Sequence, residues 1–177
     1  MIGPVKGVHK LTSLLSARRP RNGLPWAVLF LTSLSCDVPR DPEGAYGRVR
    51  SGTMRVGVTA NEPWTRFEKG RPAGIEVELL EQFAQQLHAR IAWSHDSESQ
   101  LFQTLQGGGL EVVIGGLTDA TPWSNKVGLT QPYLEIQGQK HVMATQQGEN
   151  RWLLELDRFL QSHRGAAREL YRQEVGP

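Results

Sequence analysis

Glu111-Val112-Val113-Ile114-Gly115-Gly116-Leu117-Thr118 is the stretch on which the fold turns. Its near-continuous apolar run suits a central parallel strand covered on both faces. The two glycines that follow let the chain leave that strand through a tight loop. Just upstream, Ser97-Glu98-Ser99-Gln100 has the spacing of a capping box, and Leu101, Phe102 and Leu105 follow on a short helix. Gly107-Gly108-Gly109 ends that helix, since glycine accepts the left-handed conformation cheaply. Further back, Ile91-Ala92-Trp93 reads as a short strand. A helix starting near Gly74-Ile75 carries Val77, Leu80, Phe83, Ala84 and Leu87 at helical spacing. Met54-Arg55-Val56-Gly57-Val58-Thr59 alternates as a strand does, and Asn61-Glu62-Pro63-Trp64 breaks it. Downstream, His141-Val142-Met143-Ala144 predicts another strand. Asn150 is placed to cap a long helix with Trp152, Leu153, Leu156, Phe159 and Leu160 on its apolar face. The tail from Gly165 to Gly176 adds one more short helix. Strands alternating with helices imply right-handed βαβ units. The fold class is therefore α/β, a mostly parallel sheet of about five strands flanked by helices.

The N-terminal third has a different character. Five of the 20 Lys and Arg residues (Lys6, Lys10, Arg18, Arg19, Arg21) precede Ser35, and all 18 acidic residues lie at or after Asp37. The part after Ser35 thus holds 15 basic residues against 18 acidic ones, or −3, although the whole chain is formally +2. A nucleic-acid partner is excluded on this reading, because the folding part offers no basic surplus. Leu24-Pro25-Trp26-Ala27-Val28-Leu29-Phe30-Leu31 is too short to span a bilayer. It follows the Arg cluster and runs into the small residues Thr32-Ser33-Leu34-Ser35, the layout of a secretory signal. Cys36, the one cysteine of the chain, stands directly after them, which rules out an intramolecular disulfide. Its setting resembles a bacterial lipobox, in which the cysteine is acylated; Ser35 fits that pattern, and Ser33 departs from its usual aliphatic residue. Two acyl chains suffice for stable attachment. Asp37 after the cysteine resembles the signal for inner-membrane retention in enteric-type bacteria. The domain plan is a signal over 1–36, a Pro- and Gly-rich flexible tether over 37–52 and a folded unit over 53–176.

From Met54 to Tyr133 the motifs resemble the first lobe of the polar-amino-acid type of bacterial extracellular solute-binding proteins, family 3. The matching pieces run in order: Arg55-Val56-Gly57-Val58, Pro63-Trp64, Gly74-Ile75-Glu76-Val77-Glu78-Leu79, Leu105-Gln106 through Val113, Gly116-Leu117-Thr118 and Gln131-Pro132-Tyr133. Val142 to Leu160 resembles the strand and helix by which that family returns to its first lobe. The resemblance implies a single lobe of a type II periplasmic-binding-protein-like fold.

Two departures bear on function. The family inserts a second lobe after the Pro-Tyr segment, whereas here Tyr133 is followed almost at once by Gln139-Lys140-His141-Val142. Hinge closure of two lobes around a ligand is then unavailable to a monomer. The family also places an Arg seven residues after the Gly of its Gly-Met-Thr motif, to grip a carboxylate through two parallel hydrogen bonds. That position here is Trp123, whose indole has one N–H donor and no charge. Thr118 matches a family hydroxyl that helps hold the carboxylate, and Gly115 and Gly116 allow close backbone approach. The expected ligand-binding set is Trp64, Gly115, Gly116, Thr118 and Trp123.

Glu76 and Glu78 near a helix start read first as carboxylates favoured by the helix dipole, and second as a catalytic pair. The five histidines lack paired metal spacing, and Gly-x-Ser-x-Gly, phosphate-loop and Cys–His signatures are absent from the sequence. What the family resemblance implies is therefore a non-enzymatic binding module with no cofactor. It is expected on the extracytoplasmic face, tethered to the membrane by Cys36, with a small solute and an ABC permease or other inner-membrane protein as partners. The alternatives are an interaction lipoprotein that binds no solute and, more remotely, a dehydratase-like enzyme of the same fold.

Overall fold

The computed structural model describes residues 41–176. Its central sheet has five strands. β1 (Thr53–Val58) pairs in parallel with β4 (Arg90–His95) on one side and with β5 (Val112–Ile114) on the other. β9 (Ala144–Thr145) runs antiparallel to β5 and to β6 (Gly128–Leu129), so β9 alone opposes the common direction. Two hairpins lie outside the sheet: β2 (Arg66–Glu68) with β3 (Arg71–Ala73), and β7 (Leu134–Ile136) with β8 (Gln139–His141). The mostly parallel α/β architecture read from the sequence is the one observed.

The helices follow from their apolar stripes. α2 (Ile75–Gln86) buries Ile75, Leu79, Leu80 and Phe83. Together with α4 (Asn150–Ser162), through Trp152, Leu156, Phe159 and Leu160, it covers the sheet face made by Met54, Val56, Val58, Val112 and Ile114. α3 (Glu98–Gln106) covers the other face with Leu101, Phe102 and Leu105 against Val113 and Ala144. Each such side chain contributes about 1.5–3 kcal/mol when fully buried. Ser97 caps α3 as expected, its Oγ accepting from the Gln100 amide at 3.4 Å. α5 (Arg164–Val175) packs as the last helix and buries Ala167.

Three details differ from the sequence reading. Within the expected tether over 37–52, residues Ala45–Val49 form a short helix, α1, whose Ala45 and Val49 are buried in the core. Glu149 fastens it, its carboxylate accepting from the Glu43 and Ala45 amides at 2.8 and 3.1 Å. The packed structure thus includes at least residues 41–52. Asn150 does not cap α4; the cap position is Glu149, whose side chain is committed to α1 instead. The strand expected over 141–144 divides into β8 and β9, with Val142 and Met143 between them. Cys36 and the signal-like segment lie outside the described residues.

The β7–β8 connection is two residues long. Gln137 (φ 51°) and Gly138 (φ 78°) both have positive φ, which is the type I′ turn that suits the right-handed twist of the flanking strands. This turn stands where the family resemblance would put a second lobe.

Candidate functional site: a glycine loop braced by a buried carboxylate

In open α/β sheets, ligands bind at the carboxyl ends of the parallel strands. β1 and β5 end side by side, Val58 opposite Ile114, and the Thr59 amide donates to the Ile114 carbonyl at 3.1 Å. The chain then turns through Gly115 and Gly116. A Cβ on Gly115 would stand 1.9 Å from Thr59 Oγ1, and one on Gly116 would stand 2.4 Å from Trp64 Cδ1. Gly116 also sits at φ +65°, so close packing and backbone conformation both call for glycine there.

Glu76, in the first turn of α2, braces this loop from beneath. Its Oε2 accepts from the Gly115 amide at 2.8 Å and the Gly116 amide at 3.0 Å, and its Oε1 accepts from the Tyr133 hydroxyl at 2.7 Å. The side chain is fully buried. Burial pushes its carboxyl above the usual range, against the hydrogen bonds from Gly116, Tyr133 and Gly115, which favour the anion. Burial, with the adjacent Glu76 carboxylate, holds the Tyr133 hydroxyl well above its ordinary value, so Tyr133 keeps its proton and donates. Asn61 ties the loop from the β1 side, its Nδ2 donating to the Gly115 carbonyl at 2.8 Å. Glu78 is exposed and takes no part.

Trp64 is only 6% exposed. Its ring stacks on His141 at 3.7 Å between centroids, with Tyr171 of α5 at 5.5 Å and Tyr133 edge-on at 6.4 Å. Both large faces of Trp64 therefore meet protein. Desolvation lowers the His141 pKa, and a hydrogen bond to the Gly116 backbone opposes that shift. The loop then runs beside the 140–142 segment. Thr118 forms an antiparallel bridge with His141, the Val142 amide donates to the Leu117 carbonyl at 2.9 Å, and the Asp119 amide donates to the Lys140 carbonyl at 3.0 Å. Thr118 itself stays half-buried.

Four of the five sequence-selected residues, Trp64, Gly115, Gly116 and Thr118, thus meet in one place. Trp123 does not join them. It stacks flat on Phe102 of α3 (4.7 Å, 2°), donates from Nε1 to Glu98 Oε1 at 2.9 Å and lies 5.3 Å below Lys126 Nζ. Glu76, Tyr133 and His141 stand outside the ligand-binding set expected from the sequence. Glu76 carried a usable signal, because it occupies the same helical stripe as Leu80 and Phe83. A carboxylate on an apolar stripe needs a buried partner.

Residues 54–173, well over half of the chain, match the model of the family described as bacterial extracellular solute-binding proteins, family 3. The chain belongs to that family. Among curated proteins it is similar to the membrane-bound lytic murein transglycosylase F of Vibrio campbellii, at 26% identity over 106 residues, 59% of this chain and 20% of that protein. The chain thus spans about a fifth of that relative's length. Among solved structures it resembles the arginine-bound form of domain 1 from TmArgBP (TM-score 0.58, 20% identity, 63% of this chain and 93% of that one). It also resembles an ancestral cationic amino acid solute-binding protein (TM-score 0.64, 14% identity, 73% and 98%). At these identities the structural likenesses establish the family 3 lobe as a fold.

Proposed function

We propose that this chain is an exported, membrane-tethered solute-binding-protein-like module of small-solute transport or sensing, in which capture of free amino acids is weakened. The observation that carries the reading is the state of the carboxylate position: Trp123 stands where the family resemblance places an Arg, and its side chain is committed to Phe102 and Glu98. The two-residue β7–β8 turn supports the same reading, because it leaves no opposing lobe at that point of the chain. Gly115, Gly116 and Thr118 form the floor of the site, with Trp64 beneath and Trp123 to one side. The module acts by binding and not by catalysis, uses no cofactor, and works beside an ABC permease or another inner-membrane protein. Residues 1–36 serve as its signal, and Cys36 carries the lipid. That placement accords with a family of extracellular proteins and a relative named membrane-bound.

Calorimetry on a soluble fragment of residues 41–176 with a panel of amino acids tests the capture reading. We expect millimolar or absent binding, and a gain of about 10- to 100-fold in Trp123→Arg. Charge-assisted hydrogen bonds contribute roughly 1.5–3 kcal/mol each, and each 1.4 kcal/mol is about tenfold. Micromolar binding by the unmutated fragment would sink the reading. For the anchor, mass spectrometry of the membrane-extracted protein is expected to find an acylated N-terminal Cys36; an unmodified Cys36 inside a longer chain overturns it.

A second reading, a lipoprotein that docks a membrane partner and takes no solute, is favoured by the closed setting of Trp64 between His141 and Tyr171. It predicts that Trp123→Arg gains no affinity for any amino acid in the panel.

A further inference from the structure

β4 ends the five-stranded sheet, and among the described residues no strand pairs with its outer side. Six residues long, it contains no Pro, Lys or bulge to blunt the edge against pairing, and its one Arg stands at its first position. The flanking helix does not close the edge either: an open hollow lined by Glu81, Ala84, Gln85, Ala89 and Ile91 lies between α2 and β4. The Arg90 amide donates inward, to the Gly52 carbonyl at 2.9 Å. Because backbone direction alternates along a strand, Ala92 and Ser94 also face β1. Ile91, Trp93 and His95 then turn their N–H and C=O groups outward.

These outward groups fix how two such edges can meet. In an antiparallel pair, outward residues must oppose outward residues. The twofold arrangement that uses all three sets Trp93 against Trp93 and Ile91 against His95. The same register sets Ala92 against Ser94 and Arg90 against Asp96, each twice. Arg90 and Asp96 are exposed and opposite in charge, and a cross-strand pair of opposite charges stabilises this register over its neighbours. We propose that a second copy of this chain pairs antiparallel along β4 about Trp93, joining the two sheets into one and placing each Arg90 opposite the other copy's Asp96. Two six-residue edges bury less than a standard interface, so the association is weak and reversible.

The test uses the full chain with Cys36→Ser, so that an introduced cysteine is the sole one. Ala92 and Ser94 are exposed, which makes substitution there safe for folding. The proposed register puts them in a non-hydrogen-bonded pair with Cα atoms about 4.5 Å apart, within disulfide reach. Mixing Ala92→Cys with Ser94→Cys chains under mild oxidation is expected to give a mixed disulfide dimer, while each alone stays monomeric. Arg90→Asp is expected to cut the mixed product roughly tenfold, since two attractive pairs become repulsive, and adding Asp96→Arg to the same chains restores it. No mixed product, or equal self-linking by Ala92→Cys alone, overturns the proposal. So does a monomer whose Ile91, Trp93 and His95 amides are protected from hydrogen exchange, which would mean that residues of the same chain cover the edge.

Discussion

Glu76→Ala is expected to lower the stability of the domain by about 3–5 kcal/mol, because it strands three donors at once. The Gly115 and Gly116 amides and the Tyr133 hydroxyl all give their hydrogen bonds to this one carboxylate. Each buried group left without a partner costs roughly 1–3 kcal/mol. Part of that is recovered, since the variant no longer desolvates a carboxylate. Urea unfolding followed by tryptophan fluorescence measures the loss. Glu76→Gln, which keeps an acceptor oxygen for one side of the network, is expected to fall between Ala and the parent. A loss below about 1 kcal/mol for the Ala variant would mean that the loop does not depend on Glu76.

Gly116→Val is the second large effect, expected at about 3–5 kcal/mol. A branched side chain at φ +65° costs about 1–3 kcal/mol in backbone strain. Its Cβ would also approach Trp64 Cδ1 to 2.4 Å and Asn61 Nδ2 to 2.6 Å. Trp64 has little room to retreat, held between His141 and Tyr171, and overpacking adds about 1–3 kcal/mol. Gly138→Ala is the control. Gly138 has φ +78° but open space around its would-be Cβ, so that variant pays only the conformational part, about 1–2 kcal/mol. Equal losses at the two positions would refute the close-packing argument for the Gly115-Gly116 loop.

The parallel strands and their helices were legible because each carries a local signature. Val112 to Ile114 is apolar throughout, Met54 to Val58 alternates, and Ser97 announces α3. The family motifs were legible for the same reason, each being a short run of residues whose spacing survives in one sequence. α1 was hidden because only Ala45 and Val49, one turn apart, mark its buried side among Gly, Arg and Tyr. It is held by Glu149, 104 residues away from Ala45, and no local window contains that partner. The candidate site divides along the same line. Gly115, Gly116 and Thr118 lie within four residues of sequence and are legible together. The brace from Glu76 and Tyr133 and the stacking of His141 on Trp64 join distant segments. Trp123 was read by its position in a motif, and the side chain's own preferences for a flat aromatic face and an acceptor drew it to Phe102 and Glu98.

The Gln137-Gly138 turn makes this lobe a ready splice point. Its two strands enter and leave beside each other in a hairpin outside the main sheet, with Leu134 and His141 buried at the base and Gln137 and Gly138 exposed at the tip. A guest domain whose own termini lie close together could be received there without displacing the Gly115-Gly116 loop. The host would then acquire the second body, and the two chain crossings between bodies, from which a bending receptor is made.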